Sequence, residues 1–599
     1  MKIRRKALVA VTSAALGIAA LAGCSTSADP GTSTAASTSG TSTVSGSQTA
    51  QEVMAANQAD HVDGDQSAFT ESEVVDVKLS GGSASVDGDG DGVKVDGSTV
   101  TITQGGTYRL SGSLTGQVVV AAADATVKLI LDDATITSST TAAIAVTDAK
   151  LVTVVLAGGS QNSLADTSSY ADDADVNAAL FSSADLTITG AGALTVHGNG
   201  NDGIASKDGL VIQAGTISVT AKDDGVRGKD YLVVDGGTVT VAGGGDGLKA
   251  DNDTDADRGY ISVAGGTVKV TAGGDGVDAS TDLVVTGGTL TVATGGGSGE
   301  QPSDDTSAKG LKSNVITVLD GGTITADSAD DAVHSDGAVH FAGATVTVAS
   351  GDDGVHAEGD LIVDKGTVTV TKSNEGLEGK DITVNGGDVT VTSSDDGINA
   401  AGGSGTSQSG GGFGRGGGGG GEMGVGDYSL SIAGGTTVIN ADGDGFDSNG
   451  MAKITGGTLV VNGPTMNGNG ALDVNGSFEI TGGVLVAAGS AGMAVAPDTG
   501  SAQGWLSATF DSAVSAGTTV HVTDSSGQVL ATFVTSKSMQ NLVYSSTEIK
   551  SGTAYKIYTG GSASGADTGG LRASGSLGSA TVLATVTAGQ APAGGFGRR

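Results

Sequence analysis

Asp223 to Gly244 reads DDGVRGKDYLVVDGGTVTVAGG, and the chain then begins the phrase again with Gly245-Asp246-Gly247-Leu248-Lys249-Ala250. Asp224 and Asp246 lie 22 residues apart, as do Asp331 and Asp353, and longer gaps fall only where an insertion interrupts the pattern. Within one copy, Leu232, Val234, Val239 and Val241 take alternate positions on either side of Gly236-Gly237, which predicts two short strands with their apolar side chains on one face. Val226 adds a third inward anchor. A copy this short cannot enclose a core, so copies must stack, each strand pairing with its equivalent in the next copy at about 4.8 Å. The predicted fold is all-β: a right-handed parallel β-helix, or solenoid, of about 22 residues per coil, with a small C-terminal β cap. Propeller blades need roughly 40 to 45 residues per repeat, and leucine-rich repeats need a Leu/Asn frame that is missing here.

Composition narrows the partners. Asp and Glu number 66 against 29 Lys and Arg, for a formal charge of -37, which argues against nucleic acid and anionic membrane surfaces and favours cations or a cation-bridged ligand. The 105 glycines fall mostly at repeat corners. Gly225, Gly247, Gly276, Gly354, Gly376 and Gly397 each follow an acidic residue, where a turn of positive φ would favour glycine.

The single cysteine rules out a disulfide framework, and its position is informative. Lys2, Arg4, Arg5 and Lys6 precede an apolar run from Ala7 to Ala20 that ends in Leu21-Ala22-Gly23-Cys24. This resembles a bacterial lipoprotein signal: residues 1–23 would be removed and Cys24 lipidated, placing the protein on the extracellular face of the cell membrane and touching the membrane only through that lipid. Residues 24–70, rich in Ser, Thr and Gly, read as a tether. The β-helix is expected over 71–498 with a Gly-rich loop at 401–427, the cap over 499–587 around Trp505, and a Gly-rich tail over 588–599.

Stacking turns equivalent residues into files. One acidic file is Asp202, Asp224, Asp246, Asp275, Asp331, Asp353, Glu375, Asp396 and Asp444, with Asp223, Asp330, Asp352 and Asp395 beside it. Two carboxylates 4.8 Å apart repel by about 3.5 kcal/mol at an effective dielectric near 20, so the file needs relief. Exposure, hydrogen bonds from turn backbone, and bound Ca²⁺ are the three means available. Asp223, Asp224, Asp246, Asp275, Asp278, Asp352, Asp353, Asp395, Asp396, Asp444 and Asp447 are the candidate calcium ligands. Two residues beyond each turn glycine stands a polar position expected to face outward: Arg227, Lys249, Asp278, Lys312, His334, His356, Glu378, Asn399 and Asp447. Its cations could meet the carboxylates of an acidic glycan, so Arg227, Lys249, Lys312, His334, His356 and Glu378 are the candidate ligand-binding residues; a solvated face is the bland alternative. His334 and His356 without a third ligand read first as surface residues. Outward Thr-x-Thr pairs such as Thr238/Thr240 and Thr345/Thr347 suit exposed strands and give an ice-binding reading little weight.

Four motifs carry a family resemblance: Gly106-Thr107-Tyr108-Arg109-Leu110-Ser111-Gly112, Leu129-Ile130-Leu131-Asp132-Asp133-Ala134, Asp185-Leu186-Thr187-Ile188-Thr189-Gly190, and Asn201-Asp202-Gly203-Ile204-Ala205-Ser206-Lys207-Asp208. They resemble a bacterial cell-surface carbohydrate-binding family over about Glu71 to Tyr558. The resemblance implies a right-handed parallel β-helix that binds calcium, is similar to polysaccharide lyases, and binds plant-wall polysaccharides such as cellulose and polygalacturonate. It assigns no individual calcium ligand, because its motif recurs in almost every coil. The expected function is therefore lipid-anchored, calcium-dependent, non-catalytic binding of an acidic or plant-wall polysaccharide. Alternatives are a calcium-dependent pectate-type lyase, with Arg227, Lys249 or Lys312 as base, and a structural adhesin.

Overall fold

A computed structural model describes residues 45–87, 90–300, 306–401 and 424–591. The signal region, Cys24 and almost all of the Gly-rich loop lie outside those residues. The described chain is all-β apart from one short helix and two single 3-10 turns, and it forms a 46-stranded sheet dominated by parallel pairing and a separate six-stranded antiparallel sheet.

Parallel pairing follows from the repeat. Val226–Gly228, Tyr231–Val234 and Thr238–Gly243 make one rung, and they pair in parallel with Leu248–Ala250, Tyr260–Val263 and Thr267–Ala272 of the next. Val346 pairs with Val368, one phrase further along the chain. The seven-residue insertion between Asp246 and Asp275 leaves the register intact, since Val239 still meets Val268. Thr267–Ala272 alternates exposed and buried positions, so Val268 and Val270 stack on Val239 and Val241 in one continuous apolar core. The outward threonines form a row, Thr289 to Thr323 to Thr345 to Thr367, while Lys269 breaks the neighbouring row between Thr240 and Thr291.

The turn glycines are required for a different reason from the one expected. Positive φ belongs to the second glycine of the Gly-Gly corner, as at Gly237 (84°) and Gly288 (77°), and to none of Gly225, Gly247, Gly276, Gly354, Gly376 and Gly397. Those six sit where rungs approach most closely. A Cβ on Gly247 would lie 2.6 Å from Gly276 O and closer still to Val270 Cγ1. The acidic turn is tight because the next rung leaves no room for a side chain.

Residues 45–70 also depart from expectation, since a stretch read as tether is a strap lying on the stack. Thr49 and Glu52 form a reciprocal capping box at the start of the Ala50–Ala56 helix. Ala50 and Val53 pack on Val284, Ile316, Val318 and Ala338, and Met54 and Val62 pack on Val211, Tyr231, Val233 and Tyr260. Asn57 Nδ2 donates to Asp282 Oδ2 at 2.7 Å, the His61 ring bonds Tyr231 Oη at 2.9 Å and Thr187 Oγ1 at 2.7 Å, and Gly46 N donates to Asp360 Oδ2 at 2.9 Å. This cover explains why Tyr231–Val234 and Tyr260–Val263 are buried on both faces.

Both ends of the stack turn antiparallel. Hairpins Val74–Gly81/Ser83–Asp87 and Val93–Asp96/Thr99–Ile102 lie at one. At the other, Met539–Ser545 pairs antiparallel with both Val484–Gly489 and Trp505–Val514, and Trp505 is buried against the core. The six-stranded sheet draws its strands from residues 519–534 and 554–587.

Substituting Gly247→Ala should lower the melting temperature by an amount corresponding to about 1–3 kcal/mol of overpacking. Gly299→Ala, where an added Cβ would meet nothing within 4 Å, should leave it unchanged. Equal melting of the two variants would show that rung spacing does not constrain the turn.

Candidate metal and glycan site

The two polar files run side by side along the turn that precedes the three-residue strand of each rung. Strand register confirms the second file residue by residue: Arg227, Lys249, Asp278, Lys312, His334, His356, Glu378, Asn399, Asp447 and Asp473 are successive Cα partners. Asp473 extends this file beyond the positions recognised in the sequence; its signal was the phrase Leu472-Asp473-Val474, which matches Phe446-Asp447-Ser448 but follows no Asp-Gly turn. The file does not face open solvent. Its members are half-buried, and His334 and Asn399 are buried.

The first file relieves its own charge through the backbone. Asp224, Asp246, Asp331, Asp396 and Asp444 each accept, through Oδ1, the main-chain N–H of Asp246, Asp275, Asp353, Asp444 and Gly470 respectively, at 2.5 to 3.1 Å. Asp275 accepts from Lys309 N at 2.8 Å. Each bond joins one rung to the next, so the carboxylates are rivets of the stack as well as turn formers. Asp223, Asp352 and Asp395 of the flanking file are exposed.

What remains differs along the molecule. In the N-terminal part, basic side chains fill the space between carboxylates. Arg227 pairs with Asp202 at 2.8 Å and Asp251 at 3.1 Å; Lys249 lies 2.6 Å from Asp246 and 3.4 Å from Asp224; Lys312 lies 3.1 Å from Asp275 and 3.2 Å from Asp278. Lys309, which sequence reading missed because it replaces the acidic residue before a turn glycine, pairs with Asp331 at 2.6 Å and Asp330 at 3.1 Å. Arg227, Lys249 and Lys312 are thus already committed to carboxylates, and Asp224, Asp246, Asp275 and Asp278 already enclose ammonium groups.

In the middle stand the two histidines, neither of them the surface residue expected. His334 is bonded at both ring nitrogens, Nδ1 to Asp331 at 2.9 Å and Nε2 to Asp336 at 3.0 Å. His356 follows in the next rung, its ring centroid 5.0 Å away. Burial opposes protonation of both rings, and the surrounding carboxylates outweigh it, raising His356 to about 9. Asp331 is held below the usual carboxylate range: burial pushes it up, and His334 and Lys309 more than compensate.

The C-terminal part holds Glu375, Asp396, Asn399, Asp444 and Asp447, and among the described residues no basic side chain forms an ion pair with any of them. Burial, and secondarily the neighbouring carboxylates, raise Glu375, Asp396 and Asp444 to about 7 and Asp447 to about 8. Asn399 Nδ2 donates to Glu375 Oε2 at 3.0 Å, which turns its Oδ1 the other way, buried and without a donor. An orphaned amide oxygen among half-buried carboxylates is an all-oxygen environment that, among the described residues, lacks a positive partner.

A parallel β stack carrying a graded polar file is an architecture suited to holding cations and anionic ligands along one edge. Residues 96–354 match the family model of carbohydrate-binding domain-containing proteins, and all four motifs quoted above lie inside that segment, so the resemblance to a carbohydrate-binding family is shown there. A carbohydrate-binding domain-containing protein of Acetivibrio thermocellus is 37% identical over 137 residues, covering 22% of this chain and 48% of the relative. The chain thus spans about half the length of the curated relative it matches. A solved structure, described as the polysaccharide lyase-like protein from C. thermocellum in a gadolinium derivative, aligns over 44% of this chain and 95% of its own, at 25% identity and a TM-score of 0.36.

The carboxylates of the C-terminal part bind protons more tightly in the folded chain than in the unfolded one, and so does His356. Between the unfolded carboxylate range near pH 4 and the folded values of about 7 to 8, the native state therefore carries more protons, and stability falls as pH rises. The melting temperature of the metal-free chain should decline from about pH 5 to about pH 8. A rise across that interval would contradict the assigned burial.

Proposed function

We propose that the protein binds an acidic polysaccharide at the cell surface through calcium held by the carboxylate end of its polar file, without cleaving it. In this reading the stack is a right-handed parallel β-helix of about 22 residues per coil, and lipidated Cys24 anchors it to the extracellular face of the membrane. The observation that carries the proposal is the group of half-buried Glu375, Asp396, Asp444 and Asp447 around buried Asn399, which offers carboxylate oxygens and one orphaned amide oxygen and, among the described residues, has no basic partner. The donor types are those Ca²⁺ takes, carboxylates and an amide carbonyl, with tolerance for irregular geometry; the clusters whose ligand atoms already converge within 4.8 Å lie elsewhere in the file, so an ion here would have to draw its ligands together. Bound calcium would keep these carboxylates ionised and leave positive charge for a uronate carboxylate. Match of residues 96–354 to a carbohydrate-binding domain family supports a glycan as the partner.

The basic residues weigh against the lyase reading. A base that removes a proton next to a carboxylate must be free and able to shed its own proton. Lys249 and Lys312 are instead raised, because their carboxylate neighbours outweigh the effect of burial, and Arg227 is locked between two aspartates. These side chains neutralise the file and do not reach outward for substrate.

Titration with polygalacturonate should show binding in calcium that is abolished by EDTA, and Asp447→Asn combined with Glu375→Gln should weaken it by roughly tenfold or more. Unsaturated product accumulating at alkaline pH would overturn the non-catalytic reading. Failure to bind any acidic glycan with or without calcium would overturn the binding reading and leave a structural adhesin.

A further inference from the structure

His356 is the one basic side chain of the file whose polar contacts are not closed. Its Nδ1 faces three carboxylate oxygens, Asp353 Oδ2 at 3.4 Å, Glu378 Oε2 at 3.6 Å and Asp331 Oδ2 at 3.9 Å. A charge-assisted hydrogen bond from an imidazolium to a carboxylate closes to about 2.7–2.9 Å, and His334, one rung away, reaches 2.9 Å to its own aspartate. His356 faces the same type of partner, Asp353 three residues before it, yet the separation there is 3.4 Å.

The spacing matches a different arrangement. Ligand atoms bound tetrahedrally to zinc at about 2.0–2.2 Å stand roughly 3.3–3.6 Å from one another. Asp353, His356 and Glu378 offer one oxygen, one nitrogen and one oxygen whose positions all lie within 4.8 Å of each other, and the two His356 separations fall in that interval. Asp331 is the farthest of the three oxygens and is already satisfied by Lys309 at 2.6 Å and His334 at 2.9 Å, so it competes least for the ion and leaves a fourth position open.

The outer nitrogen agrees. His356 Nε2 is buried with no hydrogen-bond partner among the described residues, and the Glu358 Oε1 carboxylate oxygen stands 3.9 Å from it. Metal-bound histidines characteristically turn their second ring nitrogen towards a carboxylate, which fixes the tautomer and the ring plane. In the preceding rung this contact is closed: His334 Nε2 bonds Asp336 at 3.0 Å, with the carboxylate two residues further along the chain in both cases. Supply of ligands from adjacent rungs, Asp353 and His356 from one and Glu378 from the next, makes the site a product of the stacking.

We infer that Asp353, His356 and Glu378 form a binding site for a divalent transition-metal ion of the zinc class, separate from the all-oxygen group at Glu375, Asp396, Asn399, Asp444 and Asp447. Imidazole is the discriminating ligand, since calcium prefers oxygen donors and zinc-class ions accept nitrogen readily. The inference stands independently of glycan binding.

The test is calorimetric titration of ZnCl₂ into the full chain, stripped with EDTA and dialysed, in buffer containing excess calcium. A saturable zinc site that survives calcium is expected, with affinity reduced roughly tenfold or more in both His356→Ala and Glu378→Gln, and unchanged in Asp223→Asn. Circular dichroism of each variant reports folding, and the shape-conserving Glu378→Gln guards against loss of affinity through misfolding of His356→Ala. Co²⁺ should give the intense visible absorption of four-coordinate cobalt in the parent and lose it in His356→Ala. Zinc binding that is absent, fully displaced by calcium, or the same in the parent and both site variants would overturn the assignment. The calcium reading is judged separately on Asp447→Asn.

Discussion

Register between rungs is the constraint on which this protein depends. Once Val239 sits on Val268 and Val346 on Val368, every other position in the rung is committed as well, including those whose side chains repel. A parallel stack places each residue about 4.8 Å above its equivalent, so an acidic turn repeated in sequence becomes an acidic file in space. The apolar core could not be continuous without this register, and the file could not exist without it.

The molecule relieves the resulting repulsion in three ways along its length. One carboxylate oxygen of most file members accepts a backbone N–H from the next rung, which converts a charge problem into an inter-rung hydrogen bond. Towards the N-terminal end, Arg227, Lys249, Lys309 and Lys312 supply positive charge from the second file and its neighbour. Histidines take over in the middle, and at the C-terminal end carboxylates and an amide remain, with protons raised onto them by burial. A cation would relieve the last group, which among the described residues has no basic partner, and the proposed calcium is therefore placed at this end and not among the more numerous aspartates elsewhere.

Much of this was legible from residue spacing. The alternation around Gly236-Gly237 predicted the strands, and the second file appears in strand register with the members assigned to it from Arg227 to Asp447. Lys309 was missed because it breaks the acidic phrase that marked the file, and Asp473 because its rung lacks the Asp-Gly turn; both are visible only when the register is known. The turn glycines were recognised for the wrong property, since a close approach between rungs is a tertiary fact and positive φ a local one. The strap over residues 45–66 was hidden by a composition that resembles a linker: only Val53, Met54, His61 and Val62 mark it, and their partners lie far along the chain.

The most direct measurement is the anomalous scattering of crystals grown in calcium. The account predicts an ion beside the orphaned Oδ1 of Asn399, bounded by carboxylate oxygens from Glu375, Asp396, Asp444 and Asp447 on successive rungs. Ions confined to exposed Asp223, Asp352 or Asp395, with none at Asn399, would contradict it.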